Sequence, residues 1–474
     1  MMRDGVQRVY AGAHWPTDVL AGYLWGCVLL SALAQMYRFC GGCQWRDSLE
    51  YNGAVGPAFR MLPLLLVTLL FVAAASCSGG DSETLPTPAP TGSEISTSQP
   101  DTQPTAPPSD SSLPAVMAGQ QLSGGKCEGE GSVRLGALPM DEEDFSSLVP
   151  YGLMIDAHVT PIDHMYFEPA SRDSAVDAYN VYAPADGVIT EIQRRDRSGD
   201  GGEVKEEFRL VITYTCTFLC YYDLITVLDP QILKEASELE KADYARTEIA
   251  VNEGQLIGKI GKQTLDFAVW DTTRPLTGFV NPKSYEREPW KIYTASPFDY
   301  FADDVKKILL AKNLRTVEPI EGKIDYDIDG KLVGNWFEDG TNGYTGSNIN
   351  KYWEGHMSIV YDHLDPTAII ISIGNFDGQS RQMDVRGNKP DPAEVSEETG
   401  LVKYELTNFQ YVRSDGQPIE GGFEPNMKVI EGQELFGTVI FQLVETRKLK
   451  MEVFPGITSA EVSGFTAEAR IYER

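Results

Sequence analysis

A cluster of aromatic residues in the C-terminal part of the chain has the composition of a ligand-binding surface. Trp336, Phe337, Tyr344, Tyr352 and Trp353 surround a segment rich in glycine and asparagine. Exposed aromatic rings can stack on sugar rings while neighbouring polar groups bind the sugar hydroxyls. Aromatic residues are also common in protein cores. Two interpretations therefore stay open: a buried core, or a glycan-binding surface in which Trp336, Tyr344 and Trp353 contact the ligand.

An acidic segment, DRSGDGGEVKEE, contains oxygen ligands at the spacing of a calcium-binding loop. Asp196, Ser198, Asp200, Gly201 and Glu207 fall at positions one, three, five, six and twelve of such a loop. Calcium loops of this type lie between helices, whereas strand-like sequences flank this segment. Because Asp and Gly also suit tight turns, we predict a solvated hairpin turn rather than a calcium site.

Near the start of the chain, Arg8, His14 and Asp18 form the pattern Arg-x5-His-x3-Asp within RVYAGAHWPTDVLAGYLWG. Residues 8–37 resemble the last motif of the type-2 phosphatidic acid phosphatases and the membrane helix that follows it. The resemblance implies that His14 attacks phosphorus, Asp18 orients the imidazole and Arg8 holds a phosphate oxygen. The other two motifs of that family would precede this one and are absent here. We therefore expect a remnant, because an active membrane phosphatase would need those motifs from another chain.

Two glycine-containing segments, APADGVITEI and VNEGQLIGKIG, form a pair of strand-like repeats. With their surroundings, over about residues 145–300, they resemble the lysostaphin-type zinc endopeptidases. The resemblance implies a zinc site, because His158 and Asp163 fall where that family has a His-x3-Asp pair. The segment TLDFAVWD falls where the family has a His-x-His strand.

The candidate zinc ligands depart from the family pattern. The His158–Asp163 spacing is one residue longer, although His164 could replace either residue, and Asp266 and Ala268 take the places of both strand histidines. A catalytic zinc needs three protein ligands and a positioned water. His158 or His164 with Asp163 and Asp266 could form a weak metal site, so zinc stays possible. We favour the alternative that these residues only hydrogen-bond in a groove inherited from an enzyme.

The composition excludes several classes of partner. The chain has 474 residues, 42% of them hydrophobic, and a formal net charge of -29. This length allows about two or three domains. The acidic balance argues against nucleic acid, which binds Lys/Arg-rich surfaces, and against broad adsorption on anionic lipids.

Seven cysteines are too few for a disulfide scaffold. In an exported domain, Cys127 could pair with Cys216 or Cys220, which leaves one thiol.

Two apolar runs precede the folded region. Residues 19–37 have the length of a transmembrane helix, and the shorter run at 62–76 suits the core of a signal peptide. The second run ends in LFVAAASC, which resembles the lipobox of bacterial lipoproteins and implies lipidation of Cys77. Residues 78–120 are rich in Ser, Thr, Pro and Asp, so we expect a flexible tether.

The remaining sequence predicts a mainly β protein. Short runs of β-branched and aromatic residues, bounded by Gly, Asp or Pro, recur from about residue 127 onward. Two helices are expected: one over DPQILKEASELEKADYAR, capped by Asp229, and one from Tyr300 to Lys312. The predicted organisation is a phosphatase-like fragment (1–40), a lipoprotein-type signal (61–77), a disordered linker (78–125), a half-barrel or β-sandwich domain of degenerate peptidase type (126–318) and an antiparallel β-sandwich or barrel (319–474).

These observations favour a non-catalytic bacterial envelope lipoprotein. We expect its folded domains to lie outside the membrane, attached by a lipid anchor or a helix. They would bind cell-wall glycan, peptide or a protein partner. A zinc endopeptidase acting on peptidoglycan and a phosphatidic acid phosphatase-type membrane phosphatase are the alternatives.

Overall fold

A computed structural model describes residues 114–198, 202–348, 351–419 and 423–474 of the protein. Among these residues the structure is mainly β, which confirms the predicted fold class. None of the described helices has the length and apolarity needed to cross a bilayer.

The predictions for the start of the chain fall outside the described residues. They comprise the phosphatase-like residues Arg8, His14 and Asp18, the apolar run at 19–37 and the lipidation at Cys77. They remain predictions.

The first described element is a helix, α1 (Ala115–Leu122), within the segment predicted as linker. Ala118 and Leu122 are buried in the hydrophobic core, and the Thr272 hydroxyl donates to the Ala115 carbonyl oxygen over 2.8 Å. The predicted linker boundary at residue 125 is therefore too late. A short apolar run ending in Leu122 is enough to fold this segment onto the neighbouring sheet.

Eleven strands and two further helices follow up to residue 312. The bounds are β1 (Phe145–Val149), β2 (Met165–Pro169), β3 (Tyr179–Tyr182), β4 (Gly187–Asp196), β5 (Glu206–Thr215), β6 (Phe218–Ile225), β7 (Val227–Leu228), α2 (Pro230–Glu235), β8 (Tyr244–Val251), β9 (Leu256–Ile260), β10 (Leu265–Asp271), β11 (Thr294–Ala295) and α3 (Asp303–Lys312). Eight of the strands form one antiparallel sheet in the order β1-β2-β10-β6-β5-β4-β8, with β11 beside β10. Strands β3, β9 and β7 form a smaller sheet.

The burial of the strands follows from their positions in the sheet. The edge strand β8, YARTEIAV, alternates between exposed and buried residues, as a strand with one solvated face should. The central strand β10, LDFAVWD, is buried along its whole length. Its second residue, Asp266, lies opposite Tyr166 of β2 and Asp223 of β6. The register therefore places a carboxylate in the interior, where it needs polar partners.

The helix predicted from Asp229 begins where expected but is much shorter. The Asp229 side chain accepts a hydrogen bond from the backbone N–H of Gln231, so the cap is present. The α-helix ends at Glu235, and residues Tyr244–Val251 form strand β8. Pairing of β8 with β4 overrides the helical preference of this sequence.

The C-terminal part of the chain is a closed barrel. Its strands are β12 (Gly334–Glu338), β13 (His356–Tyr361), β14 (Ile369–Phe376), β15 (Gln379–Val385), β16 (Val402–Val412), β17 (Lys428–Glu445), β18 (Lys448–Pro455) and β19 (Arg470–Glu473). Each strand pairs with the next, and β19 pairs with β12. Of the two predicted arrangements, the structure has the barrel. Tyr344 and Tyr352, from the connection between β12 and β13, pack into the core of the eight-stranded sheet.

Candidate functional site

A cavity of about 70 Å³ lies where the eight-stranded sheet meets the β12–β13 connection. The segment before β2, strands β5, β6 and β10, and the turn at Glu288–Lys291 form its walls, together with two residues of the barrel. The lining residues are His158, Thr160, Ile162, Asp163, His164, Arg209, Tyr221, Ala268, Trp270, Glu288, Trp290, Lys291, Tyr344 and Tyr352.

His164 links two carboxylates at this cavity. Its Nδ1 lies 3.3 Å from Asp163 Oδ1 and its Nε2 lies 3.2 Å from Asp266 Oδ2. Burial disfavours the charged imidazole, but Asp266 and Asp163 outweigh it and raise the pKa of His164 to about 9. The ring is therefore protonated at neutral pH and donates to a carboxylate from each nitrogen. Burial raises the pKa of Asp266, against the attraction of His164.

Lys291 brings a second positive charge to the carboxylate of Asp163. Its Nζ lies 3.4 Å from Asp163 Oδ1 and 3.8 Å from Glu288 Oε2, and the side chain is almost fully buried. The ammonium also lies 5.1 Å from the ring centroid of Tyr344, within range of a cation–π interaction. Although burial opposes ionisation, Lys291 and the hydrogen bond from His164 hold the pKa of Asp163 well below its usual range. Asp163 is therefore a buried carboxylate that stays ionised.

The candidate metal ligands do not fit a metal ion in this arrangement. A zinc ligand must offer a lone pair, and both nitrogens of the protonated His164 point hydrogens at carboxylates. The Lys291 ammonium is already next to Asp163, and a divalent cation there would face its repulsion. Among the described residues no group of three or more His, Cys, Asp or Glu side chains could hold a metal. Asp163, His164 and Asp266 come together as a hydrogen-bonded ionic network instead.

A second ionic network supports one wall of the cavity. Arg209 donates through Nε to Asp223 Oδ2 over 3.0 Å, and Arg195 donates to both oxygens of the same carboxylate. The Tyr221 hydroxyl donates to Asp223 Oδ2 over 2.8 Å. Burial opposes the charge on Asp223, but the two guanidinium groups lower the pKa of this carboxyl well below its usual range. These bonds fix Arg209 and Tyr221, which line the cavity, in position.

Aromatic rings form the remaining walls. Trp270 and Trp290 stack with ring centroids 5.8 Å apart, and Tyr221 lies 5.5 Å from Trp270. The Tyr344 ring lies beside the Lys291 ammonium, which connects the barrel to the turn that carries this lysine. The cavity thus combines fixed charges of both signs with flat apolar surfaces, the usual composition of a site for a small polar group.

Two buried polar atoms of the cavity residues have no hydrogen-bond partner among the described residues. They are Asp163 Oδ2, an acceptor, and Trp270 Nε1, a donor. A buried polar group without a partner costs about 1–3 kcal/mol. A ligand that offers one donor and one acceptor could recover that free energy.

The residues predicted to bind metal lie close together but do not form one ligand set. Asp163, His164 and Asp266 meet in the ionic network, whereas His158 lines the same cavity without taking part in that network. His158 ends a turn in which the backbones of Ile155 and His158 hydrogen-bond each other.

The predicted glycan-binding aromatics are also separated. Trp336 is 0% exposed in the barrel core and donates through Nε1 to the Leu332 carbonyl oxygen over 2.9 Å, so its prediction as a ligand-binding residue is wrong. On strand β12 the Trp336 side chain faces the barrel core, which the spacing of aromatic residues in the sequence does not reveal. Tyr344 lines the cavity, and Trp353 packs beside Tyr352 without lining it.

The acidic segment around Asp196 joins β4 to β5 as a hairpin, as predicted, although residues 199–201 lie outside the described residues. Glu207, at the last position of the supposed calcium loop, is buried and accepts a hydrogen bond from Arg197 over 3.0 Å. Its carboxylate faces the interior rather than the turn.

Sequence reasoning missed several residues that build the cavity. Lys291, Glu288, Arg209 and Trp290 belong to no motif, and lysine is not a usual metal ligand. Trp270 lies in the segment TLDFAVWD, but only Asp266 and Ala268 of that segment were considered. A weak signal was available in EREPWKIY, where a lysine stands among large apolar residues. A lysine in such surroundings needs a buried carboxylate as its partner.

Comparisons with known proteins add little. No family model matches the chain, and no curated protein matches it. A crystal structure of a zinc-containing peptidase from Vibrio cholerae matches with a TM-score of 0.21 and 16% identity over 30% of this chain. The match spans 38% of that peptidase chain, less than two thirds of its length. A TM-score this low assigns neither a fold nor an activity, so the interpretation of the site depends on its geometry.

Proposed function

We propose that this protein is a non-catalytic cell-envelope binding protein that takes up peptide groups of the cell wall in the cavity around Asp163. One observation supports this proposal most directly: the cavity residues include a buried acceptor, Asp163 Oδ2, and a buried donor, Trp270 Nε1, that lack partners among the described residues. A peptide group offers an N–H donor and a carbonyl acceptor. The aromatic walls suit the flat peptide plane and small side chains beside it.

The ionic network supports the non-catalytic part of this proposal. Hydrolysis of a peptide bond at a metal centre requires a Lewis acid and an activated water. Among the described residues that line this cavity, the positive charges are the Lys291 ammonium, the Arg209 guanidinium and the protonated His164, each already engaged with a carboxylate. None of these groups can coordinate a water or polarise a carbonyl as a divalent metal does.

The cellular setting is part of the same proposal. The lipobox-like sequence ending at Cys77 would attach the protein to the outer face of a bacterial membrane, and residues 78–113 would separate the anchor from the folded part. That arrangement would place the cavity within reach of peptidoglycan.

Binding can be tested by co-sedimentation of the full-length, detergent-solubilised protein with purified peptidoglycan. Trp290→Ala removes half of the stacked Trp270–Trp290 pair and should weaken binding about tenfold, comparable to the loss of one aromatic contact. Trp353→Ala is the matched control, because Trp353 lies nearby without lining the cavity. Equal binding by the two variants would contradict the proposed site.

The same preparation tests the non-catalytic assignment. Peptidoglycan turbidity should stay constant over hours with added zinc and after treatment with a chelator. A zinc-dependent fall in turbidity that disappears in Asp163→Asn would replace the binding function with a peptidase activity.

A further inference from the structure

The barrel carries a second concave surface, a groove of about 280 Å³ across β15, β16 and β17. It is much more open than the cavity around Asp163. Its lining is polar, with two aromatic rings, and consists of Gln379, Ser380, Arg381, Gln382, Asn408, Phe409 and Phe436. We call this set the barrel groove.

The charge of the barrel groove differs from that of the chain. The protein has 69 acidic residues against 40 basic ones, yet the described residues that line the groove include no carboxylate. Their side chains offer one guanidinium, three amides and one hydroxyl. The local charge is therefore positive on a protein that is otherwise strongly acidic, which favours an anionic ligand.

Arg381 differs from the other barrel arginines. Arg386, Arg413, Arg447 and Arg470 each meet a carboxylate within 3.2 Å. Arg381 makes no ion pair with any described residue, and its buried Nε has no hydrogen-bond partner among them.

The Arg381 guanidinium stacks on an aromatic ring. Its Cζ lies 4.3 Å from the ring centroid of Phe436 and 6.0 Å from that of Phe376. Stacking holds the plane of the guanidinium, and the terminal N–H groups of an arginine held in this way can bind a carboxylate with two parallel hydrogen bonds.

Two of the three amide side chains are held by the fold. Gln382 Nε2 donates to Ser372 Oγ over 3.1 Å and to the Asp156 carbonyl oxygen over 3.2 Å. Asn408 Oδ1 accepts from the backbone N–H of Glu434 over 2.9 Å, which leaves its amino group for other partners. Positioned amides beside an aromatic ring are suited to hydroxyl groups on a flat apolar ring, as a sugar presents them.

We propose that the barrel groove is a binding site for an acidic saccharide. Arg381 binds the sugar carboxylate, Gln379 and Asn408 bind hydroxyl groups, and the Phe409 ring contacts the apolar face of the sugar. An acidic peptide fits less well, because the open groove has no enclosed apolar pocket for a side chain. The site is separate from the cavity around Asp163 and does not depend on what that cavity binds.

Isothermal titration of the full-length protein in detergent with trigalacturonate tests the proposal. The wild type should bind, and Arg381→Gln should weaken the affinity at least tenfold. Gln379→Glu places a negative charge at an exposed position of the groove, so it should cause a similar loss without disturbing the core. Arg447→Gln is the matched control, since it removes an exposed barrel arginine outside the groove and should bind as the wild type does.

Three results would overturn the proposal. They are no binding of trigalacturonate by the wild type, equal affinity of Arg381→Gln and Arg447→Gln, and tighter binding of triglutamate than of trigalacturonate. Trp290→Ala should leave trigalacturonate binding unchanged, which separates this test from that of the cavity.

Discussion

The raised pKa of His164 predicts a specific dependence of stability on pH. The difference between the ordinary histidine value of 6.5 and the value of about 9 in the folded protein corresponds to about 3 kcal/mol. Because the folded state holds the proton more tightly, this contribution is complete below pH 6.5. It is lost as the pH rises from 6.5 through about 9. The side chain is only 13% exposed, so solvent should screen little of the effect.

The assay is urea unfolding of the wild type and of His164→Gln between pH 6 and pH 10. The free energy of unfolding of the wild type should fall by about 3 kcal/mol more than that of the variant over this range. Lysines and tyrosines titrate in both proteins, so the difference between the two curves isolates His164. Parallel curves would refute the bridge between Asp163 and Asp266, because a histidine without those partners would not hold its proton above pH 7.

Three further predictions concern other parts of the chain. Lys291→Met should lower the free energy of unfolding by about 3–5 kcal/mol, because Asp163 loses its buried partner, and Lys291→Arg should lower it less. Peptide mapping without reduction should recover Cys127 linked to Cys216, and Cys127→Ser should cost about 2–5 kcal/mol in urea unfolding. Mass spectrometry of the membrane fraction should find a lipid-modified Cys77 as the mature N-terminus; an unmodified Cys77 within a chain that begins upstream would contradict the lipoprotein assignment.

Local sequence signals predicted most of the fold. The β-branched and apolar sequences of β14 and β10 predict strands, and both strands are buried along most of their length. Strand β15, QSRQMDV, was missed because its exposed half is polar and lacks β-branched residues. It is a strand because its neighbours β14 and β16 pair with it, and such pairing is invisible to propensity.

The cavity was predictable only in part, because its residues come from segments that lie far apart in the sequence. Asp163 and Asp266 could be found because they fall at the zinc-ligand positions of the endopeptidases that this segment resembles. Lys291 reaches Asp163 from a turn more than a hundred residues away, and Tyr344 comes from the barrel. No spacing rule connects these segments. Only the packing of the β12–β13 connection on the sheet brings them together.

The charges around Asp163 explain how this carboxylate can stay ionised in the interior. A carboxylate as buried as that of Asp163 is stable only beside positive charge, whether that charge is a divalent ion or a side chain. Lys291 and the protonated His164 supply it here, and both meet the same oxygen, Oδ1. The second oxygen, Oδ2, has no partner among the described residues and keeps its capacity to accept a hydrogen bond. This arrangement therefore keeps an ionised acceptor in the cavity, which the proposed peptide ligand could use.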